Sequence, residues 1–202
     1  METHTWLIYL AAATGLSLSP GPNGLLALTH GALHGRRMAA WTVAGGALGF
    51  ATIIALSMFG IGALLRTSLG WLVVMKLVGG AYLLWLGIQL WRAPALQLEV
   101  AAATRVDGRT LARQGFLSAV TNPKGILFFA AFLPQFIDPA HSLLTQFWIM
   151  AGTFVAVEIA TEMFIASAAH RVRPWLARAG RRFNKACGGV FALIGIALAA
   201  RH

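Results

Sequence analysis

The hydrophobic positions of the chain fall into long apolar runs that are separated by short polar stretches. A helix that spans a bilayer needs about 20 mostly apolar residues. Tryptophans, which favour the interface between membrane and water, lie near the ends of several of these runs. The pattern predicts an all-α polytopic membrane protein with six transmembrane helices, at residues 6–28, 40–65, 69–91, 115–137, 146–169 and, in a shorter run, 184–200.

The composition favours the same class of protein. Of the 202 residues, 58% are hydrophobic and 11% are charged, whereas about 25% of the residues of an ordinary soluble domain are charged. The single cysteine, Cys187, excludes an internal disulfide and a metal site built from several thiolates. No Lys or Arg precedes the first apolar run, so we expect that run to remain as a membrane span rather than to be a cleaved signal peptide.

The basic residues give the chain a formal charge of +10, and their positions predict its orientation. If six spans alternate, twelve Lys and Arg residues lie on one side and only Arg66 and Arg201 lie on the other. Cytoplasmic loops carry an excess of such residues, so we expect the chain to lie in the cell inner (plasma) membrane with both termini outside the cytoplasm. This distribution predicts contact with the bilayer and no nucleic-acid partner. The twelve residues are Arg36, Arg37, Arg92, Arg105, Arg109, Arg113, Arg171, Arg173, Arg178, Arg181, Arg182 and Lys185.

Two short sequence matches indicate an internal repeat. Residues 22–26, Pro-Asn-Gly-Leu-Leu, resemble residues 123–127, Pro-Lys-Gly-Ile-Leu, and residues 76–82 resemble residues 185–191. Both pairs occur in the same order, although glycine-rich apolar segments also match by chance. Each half would contain three spans, an odd number, so the two halves would enter the membrane from opposite sides.

We therefore predict two inverted three-helix repeats, at residues 1–93 and 112–202, joined by a cytoplasmic linker at residues 94–111. Many secondary transporters have this organisation, with broken helices at corresponding places in the two halves. Here the first and fourth spans are the ones that proline interrupts, at 20–22 and 122–123. A proline inside a helix costs about 3 kcal/mol in water, and in a bilayer the freed backbone must be buried in protein or line a wet cavity. A purely structural kink is the alternative.

Lys124, Glu158 and Glu162 lie deep inside predicted spans, where a charge costs about 2.5–3.5 kcal/mol at the centre. Lys124 and Glu158 are each roughly 16 Å from the start of their span, at 1.5 Å per residue, near the middle of a core about 30 Å thick. Glu162 shares a helix face with Glu158, and two adjacent carboxylates disfavour double ionisation, which suits a proton carrier. The alternatives are a structural ion pair for Lys124 and Glu158, and a polar contact between helices for Glu162.

These features predict a site for a small zwitterion, with Glu158 and Glu162 coupling its movement to protons. Freed backbone groups and the amides beside them can bind a carboxylate and an ammonium, and the N-terminus of a half-helix favours the anion. The predicted substrate-binding residues are Pro20, Gly21, Pro22, Asn23, Asn122, Pro123 and Lys124.

Two motifs, Ser19-Pro20-Gly21-Pro22-Asn23 and Thr121-Asn122-Pro123-Lys124, together resemble those of the LysE/RhtB family of amino-acid exporters. The resemblance covers essentially the whole chain. It implies export of amino acids or related small metabolites from the cytoplasm, driven by the proton motive force, by an inner-membrane protein that forms a homo-oligomer in some cases. Family members often carry an acidic residue in the middle of the fifth span, which Glu158 matches; Glu162 is less typical. Some members have been described with five spans.

Other classes of function fit the sequence less well. A hydrolase inside the membrane needs a nucleophile beside a base, and all six histidines lie near predicted span ends or in loops. A divalent-cation exporter could use Glu158 and Glu162 as oxygen ligands, but Lys124 at the same depth would repel the cation. A membrane scaffold without cargo would leave the helix breaks without a purpose. We predict no enzyme activity, cofactor or metal. The histidines are His4, His30, His34, His141, His170 and His202.

Overall fold

The regular structure of the described residues is helical throughout, which confirms the predicted all-α class. A computed structural model describes residues 2–19, 21–65, 70–92 and 106–169, with isolated positions at 182, 185, 186, 189, 192, 193 and 196. Apart from those isolated positions, the predicted span at 184–200 lies outside this part, as does most of the predicted linker. The helices are α1 (Thr3–Leu18), α2 (Pro22–Leu65), α3 (Gly70–Arg92), α4 (Gly108–Val120), α5 (Pro123–Phe132), followed by a 3₁₀ turn (Leu133–Gln135), and α6 (Leu143–Ser167).

Helix α2 is bent at Gly35 into segments 22–34 and 36–65. Gly35 has φ 78° and ψ 167°, in a region of backbone conformation that glycine adopts at little cost. The predicted spans stopped at residue 28 and restarted at residue 40, so both helices extend farther towards the turn than expected. His30, expected near the end of a span, is instead buried inside α2, and its Nδ1 lies 2.7 Å from Thr42 Oγ1 across the turn.

Membrane location rests on helix length and apolarity. Among the described residues, helices Pro22–Ala63 and Leu143–Ser167 are long and apolar enough to cross a bilayer. A third candidate is the pair Gly108–Val120 and Pro123–Gln135, which are bent by 50° at a short break and together fit either one broken span or a re-entrant loop. The chain is therefore a helical membrane protein, and the fourth predicted span is interrupted where Pro123 predicts.

Helix α6 lies along α1 and the first segment of α2 and runs in the same direction. Near its start, Trp6 Nε1 donates a hydrogen bond to Thr153 Oγ1 at 3.1 Å. Farther along both chains, Asn23 Nδ2 donates to Glu162 Oε1 at 3.0 Å. Two parallel neighbours of this kind require an odd number of membrane crossings between them.

The broken pair α4 and α5 runs antiparallel to α1. Tyr9, near the start of α1, stacks on Phe132 near the end of α5, with 5.7 Å between ring centroids. Ser19, at the end of α1, is instead bonded by Lys124 at the start of α5. The interruption after α1 therefore lies against the interruption between α4 and α5.

Close contact between the second segment of α2 and α4 holds these elements together. A Cβ atom at Gly45 would lie 1.9 Å from Ala112 O, and one at Gly115 would lie 2.0 Å from Thr42 O. Only glycine permits backbones to approach this closely, as is common where membrane helices pack.

An aromatic core fills the space between α1, α2, α5 and α6 on one side of the breaks. Its rings stack or meet edge to face, in arrangements that stabilise aromatic pairs. The Tyr9 hydroxyl is buried and donates to Met150 O at 2.9 Å. This core fixes the ends of the interrupted helices. Its rings belong to Tyr9, Phe50, Phe128, Phe129, Phe132, Phe136 and Phe154.

Candidate functional site

The two helix breaks meet through Lys124. Its Nζ donates to the backbone oxygen of Ser19 at 3.0 Å and also to the Ser19 hydroxyl. Ser19 is the C-cap residue of α1 and is buried, so its carbonyl has lost the helical partner that the break removes. Lys124 supplies a donor to this freed carbonyl and thereby joins the first residues of α5 to the last residues of α1.

The second break is capped by Asn122. Its Oδ1 accepts from the backbone N–H of Lys124 at 3.1 Å and of Gly125 at 3.5 Å, and Pro123 occupies the first helical position. Asparagine at the N-cap followed by proline is a favourable helix start. The Asn122 side chain, which we expected to contact substrate, uses its oxygen to satisfy the helix.

At the first break, proline again occupies the first helical position, but the N-cap residue has no capping side chain. Leu25 N donates to Gly21 O at 3.0 Å, which makes Gly21 the N-cap residue of α2 and Pro22 its first helical residue. Glycine has no side chain that could accept from the next backbone N–H groups, and Gly21 and Gly24 both line the cavity described below. Pro20 lies outside the described residues.

The carboxyl groups of Glu158 and Glu162 are buried in α6, with 4% and 1% of each residue exposed. Glu162 accepts the hydrogen bond from Asn23, and Gly46 makes room for that amide, because a Cβ atom there would lie 2.2 Å from Asn23 Nδ2. Glu158 lies beside Ser17 and Glu162 and within the electrostatic influence of Lys124.

A cavity separates the two breaks from α6. It encloses about 310 Å³ of unoccupied space, including some that is open to solvent. Of the residues predicted from the sequence, Gly21, Asn23, Asn122, Lys124 and Glu158 line it. Glu162 lies behind Asn23, outside the lining, while Pro22 and Pro123 act as helix starts.

Ser17 and Ser19 also line the cavity and were not predicted as site residues. They lie in the same interrupted segment as Pro20 and Pro22, which was the available signal. Serine is common in apolar helices, so its residue type alone did not indicate a role.

The charged side chains at the site, one lysine and two glutamates, leave a formal charge of −1 when all are ionised. An unbalanced charge in a membrane interior is expensive, so the site favours one additional positive charge, either a proton or a cation. Within the part of the chain that the structure describes, no three His, Cys, Asp or Glu residues are grouped as metal ligands.

Comparison with known proteins identifies the family of this chain. Residues 14–202 match the model of the LysE type translocator family. The chain belongs to the LysE family. It is therefore a membrane translocator and not an enzyme, as the sequence predicted.

Relatives match along nearly the full length of the chain. The homoserine/homoserine lactone efflux protein of Salmonella typhi is 40% identical over 100% of both chains. The leucine efflux protein of Enterobacter sp. (strain 638) is 30% identical over 96% of this chain and 92% of its own. An uncharacterized membrane protein of Vibrio cholerae is 33% identical over 98% of each. No solved structure matches this LysE-family chain.

Proposed function

We propose that the chain is a proton-coupled secondary transporter that exports amino acids or related small zwitterionic metabolites from the cytoplasm. The observation that carries this proposal is the meeting of two helix breaks at a cavity lined by Lys124 and Glu158. Discontinuous helices that meet in this way form the substrate sites of many secondary transporters. The efflux names of the relatives support the direction and the class of cargo.

The helix directions support the proposed architecture of two inverted repeats. The first broken helix, α1 with residues 22–34, runs antiparallel to α4 and α5, as equivalent elements of inverted halves must. The parallel neighbour α6 fits a fifth span, since the second segment of α2, α3 and the α4–α5 pair provide three crossings before it. A sixth span at 184–200 would complete the second half and return the C-terminus to the side of the N-terminus.

The membrane and orientation follow from this arrangement and from the basic residues. We place the chain in the inner membrane, with the turn at Gly35 and the start of α4 on the cytoplasmic side. Arg36 and Arg37 at that turn, and Arg109 and Arg113 on α4, then face the cytoplasm as the positive-inside rule requires. Assembly into a homo-oligomer stays a prediction of the family resemblance.

The two charged groups of a zwitterionic cargo would bind to different parts of the cavity. A carboxylate would meet the uncapped N-terminus of α2 and the Lys124 ammonium, because both favour an anion. An ammonium would meet Glu158. Homoserine and leucine, named for the relatives, carry both groups, whereas homoserine lactone retains the amine but has no free carboxylate.

Coupling follows from the formal charge of the site. A proton on Glu158 or a cargo ammonium beside it would each neutralise the excess negative charge, but the two compete for the same carboxylate. Mutual exclusion of this kind makes the return of the empty site depend on a proton, which yields exchange of cargo for protons.

Proteoliposomes with an imposed pH gradient test the proposal, using labelled L-homoserine, L-leucine and other amino acids. We expect gradient-driven flux in the wild type and loss of gradient dependence in Glu158→Gln. The control is Glu2→Gln, which changes an exposed glutamate at the N-cap of α1 and should leave flux unchanged. Undiminished coupling in Glu158→Gln would contradict its role, and absence of flux for every amino acid would contradict the proposed function.

A further inference from the structure

Three buried oxygen atoms in the cavity wall lack hydrogen-bond partners. Among the described residues, buried side-chain atoms without a partner are Ser17 Oγ, Asn23 Oδ1, Glu158 Oε2 and Glu162 Oε2. Native proteins pair nearly all buried polar groups, so each exception calls for an explanation. The first three belong to residues that line the cavity, while the fourth belongs to Glu162 behind it.

The orientation of Asn23 is fixed by its neighbours. Its Nδ2 donates to Glu162 Oε1 at 3.0 Å and faces Gly46. Neither of those residues lines the cavity, whereas Asn23 does and is only 2% exposed. The amide nitrogen therefore points away from the cavity, and the unpartnered Oδ1 is the atom of the Asn23 side chain that faces it.

The other two oxygens lie on the neighbouring elements. Ser17 is in the last turn of α1, and Glu158 is beside it on α6. The Ser17 and Glu162 side chains are close enough to interact with the Glu158 carboxyl, but neither Ser17 Oγ nor Glu158 Oε2 has a partner in good hydrogen-bond geometry in this conformation. Three elements, α1, α2 and α6, thus each contribute one oxygen to the same wall.

The chemistry of these atoms selects a ligand rich in donors. Asn23 Oδ1 and an ionised Glu158 Oε2 only accept hydrogen bonds, and a serine hydroxyl can accept as well. A primary ammonium carries three N–H donors and no acceptor, so it matches the three oxygens in number and matches Glu158 in charge. A carboxylate would be repelled. The same cavity already holds the Lys124 ammonium against the oxygens of Ser19.

We propose that Ser17 Oγ, Asn23 Oδ1 and Glu158 Oε2 form a subsite for the unsubstituted ammonium group of the cargo. This subsite rests on the proposed export function and specifies its substrate class as primary amines, with the carboxylate as a secondary feature. The three atoms are sealed in this conformation, so an amine reaches them when the helices separate during alternating access. Glu162 is a positioning residue that holds the Asn23 amide in the required orientation.

The test is competition against export in wild-type proteoliposomes, with labelled L-homoserine and L-leucine as probes. Unlabelled N-methyl, N,N-dimethyl and N-acetyl derivatives of each probe are added as inhibitors. We expect each N-methyl group to raise the inhibitory concentration by about tenfold, as for the loss of a charge-assisted hydrogen bond. The N-acetyl compounds, which have no ammonium, should not inhibit.

A serine variant tests whether the preference for primary amines depends on Ser17. In Ser17→Ala, the unsubstituted amine and its N-methyl derivative should inhibit at nearly equal concentrations. Only two of the three acceptor oxygens remain, so the third N–H of a primary ammonium no longer has a partner. The matched control, Ser57→Ala, removes a hydroxyl from α2 at a residue outside the cavity lining and should keep the full preference.

The outcomes separate the subsite from the export function. Export of the probes with equal inhibition by all N-methylated derivatives would overturn the subsite and leave the function standing. Absence of export for both probes and every other amino acid would overturn the function itself. A sodium requirement that Ser17→Ala alters, without any change in amine preference, would assign the three oxygens to a metal cation and overturn the subsite.

Discussion

The two helix breaks share a sequence plan but differ in how their helices are capped. On the second broken helix, Asp107 caps α4 by accepting from Thr110 N at 2.9 Å, and Asn122 caps α5. On the first, Glu2 makes no side-chain cap on α1, and Gly21 has no side chain with which to cap α2. The second broken helix is thus internally satisfied, while the first leaves backbone groups of α2 beside the cavity.

This difference indicates a division of labour between the breaks. We propose that the second break supports the site, because Asn122 caps its helix and Lys124 extends from it to the first break. Asp107 precedes the α4–α5 candidate span, and the hydrogen bond that it accepts from Thr110 holds its pKa below the ordinary value. The first break receives the ammonium of Lys124 at Ser19, and under the proposed transport function its uncapped backbone would bind cargo. Substitutions at the two breaks should therefore have different consequences.

The largest effect is expected from removing the link between the breaks. Lys124→Met removes the donor to the Ser19 carbonyl and the positive charge that acts on Glu158, and a buried acceptor left without its donor costs about 1–3 kcal/mol. We expect the initial rate of export per folded protein to fall by about 100-fold or more. Arg36→Met, at the exposed turn after Gly35, should retain the wild-type rate.

Loss of folding is separated from loss of transport by a double variant. Lys124→Met with Glu158→Gln removes both charges, so we expect the yield and thermal stability of folded protein to recover in part, because no buried carboxylate is then left without the lysine charge. Export should stay absent. A double variant that exports at the wild-type rate would show that neither charge takes part.

A smaller effect is expected when the caps of the two breaks are changed. Gly21→Asn places a capping side chain at the first break, where a Cβ atom has room at 3.6 Å from Lys124 Nζ. We expect the KM for amino acids to rise about tenfold, which corresponds to about 1.4 kcal/mol, with little change in maximal rate. Asn122→Ala should instead lower stability by about 1 kcal/mol and change KM less.

Conservative replacement serves as the control for that comparison. Asn122→Ser retains an N-cap oxygen and should restore most of the stability lost in Asn122→Ala. The dependence of the initial export rate on amino-acid concentration gives KM and the maximal rate. Thermal unfolding in detergent gives the stability of the folded protein. A larger KM change at Asn122 than at Gly21 would reverse the assigned roles of the two breaks.

The sequence was sufficient to locate the breaks and the charges near them. Pro22 and Pro123 interrupt helices for local reasons, and Lys124 and Glu158 are conspicuous because charges are costly in a membrane. It did not distinguish Asn122, a cap, from Asn23, whose amide is held by Glu162. That distinction depends on α6 and on the space beside Gly46, which are far from Asn23 in the chain and leave no local pattern.

The turn at Gly35 lies where the sequence predicted a loop, between residues 28 and 40, but the helix ends beside it were misplaced for a related reason. Residues 29–39 are more polar than their neighbours, so the apolar runs appeared to stop at 28 and restart at 40. Tertiary contacts decide otherwise, because His30 is buried and pairs with Thr42 across the turn, and a Cβ atom at Gly31 would lie 2.3 Å from Ala166 O. Hydropathy depends on local sequence alone, so it does not reveal helix ends that are determined by contacts with distant residues.

The contact between the two breaks is tested most directly by cross-linking. Cysteines introduced as Ser19→Cys and Lys124→Cys, in a Cys187→Ser background, would be treated in native membranes with a bifunctional thiol reagent about as long as the lysine side chain it replaces. We predict efficient intramolecular cross-linking between positions 19 and 124, and none for Ser57→Cys with Lys124→Cys. Free reaction of both cysteines with single-ended reagents, without any cross-link between positions 19 and 124, would contradict the account.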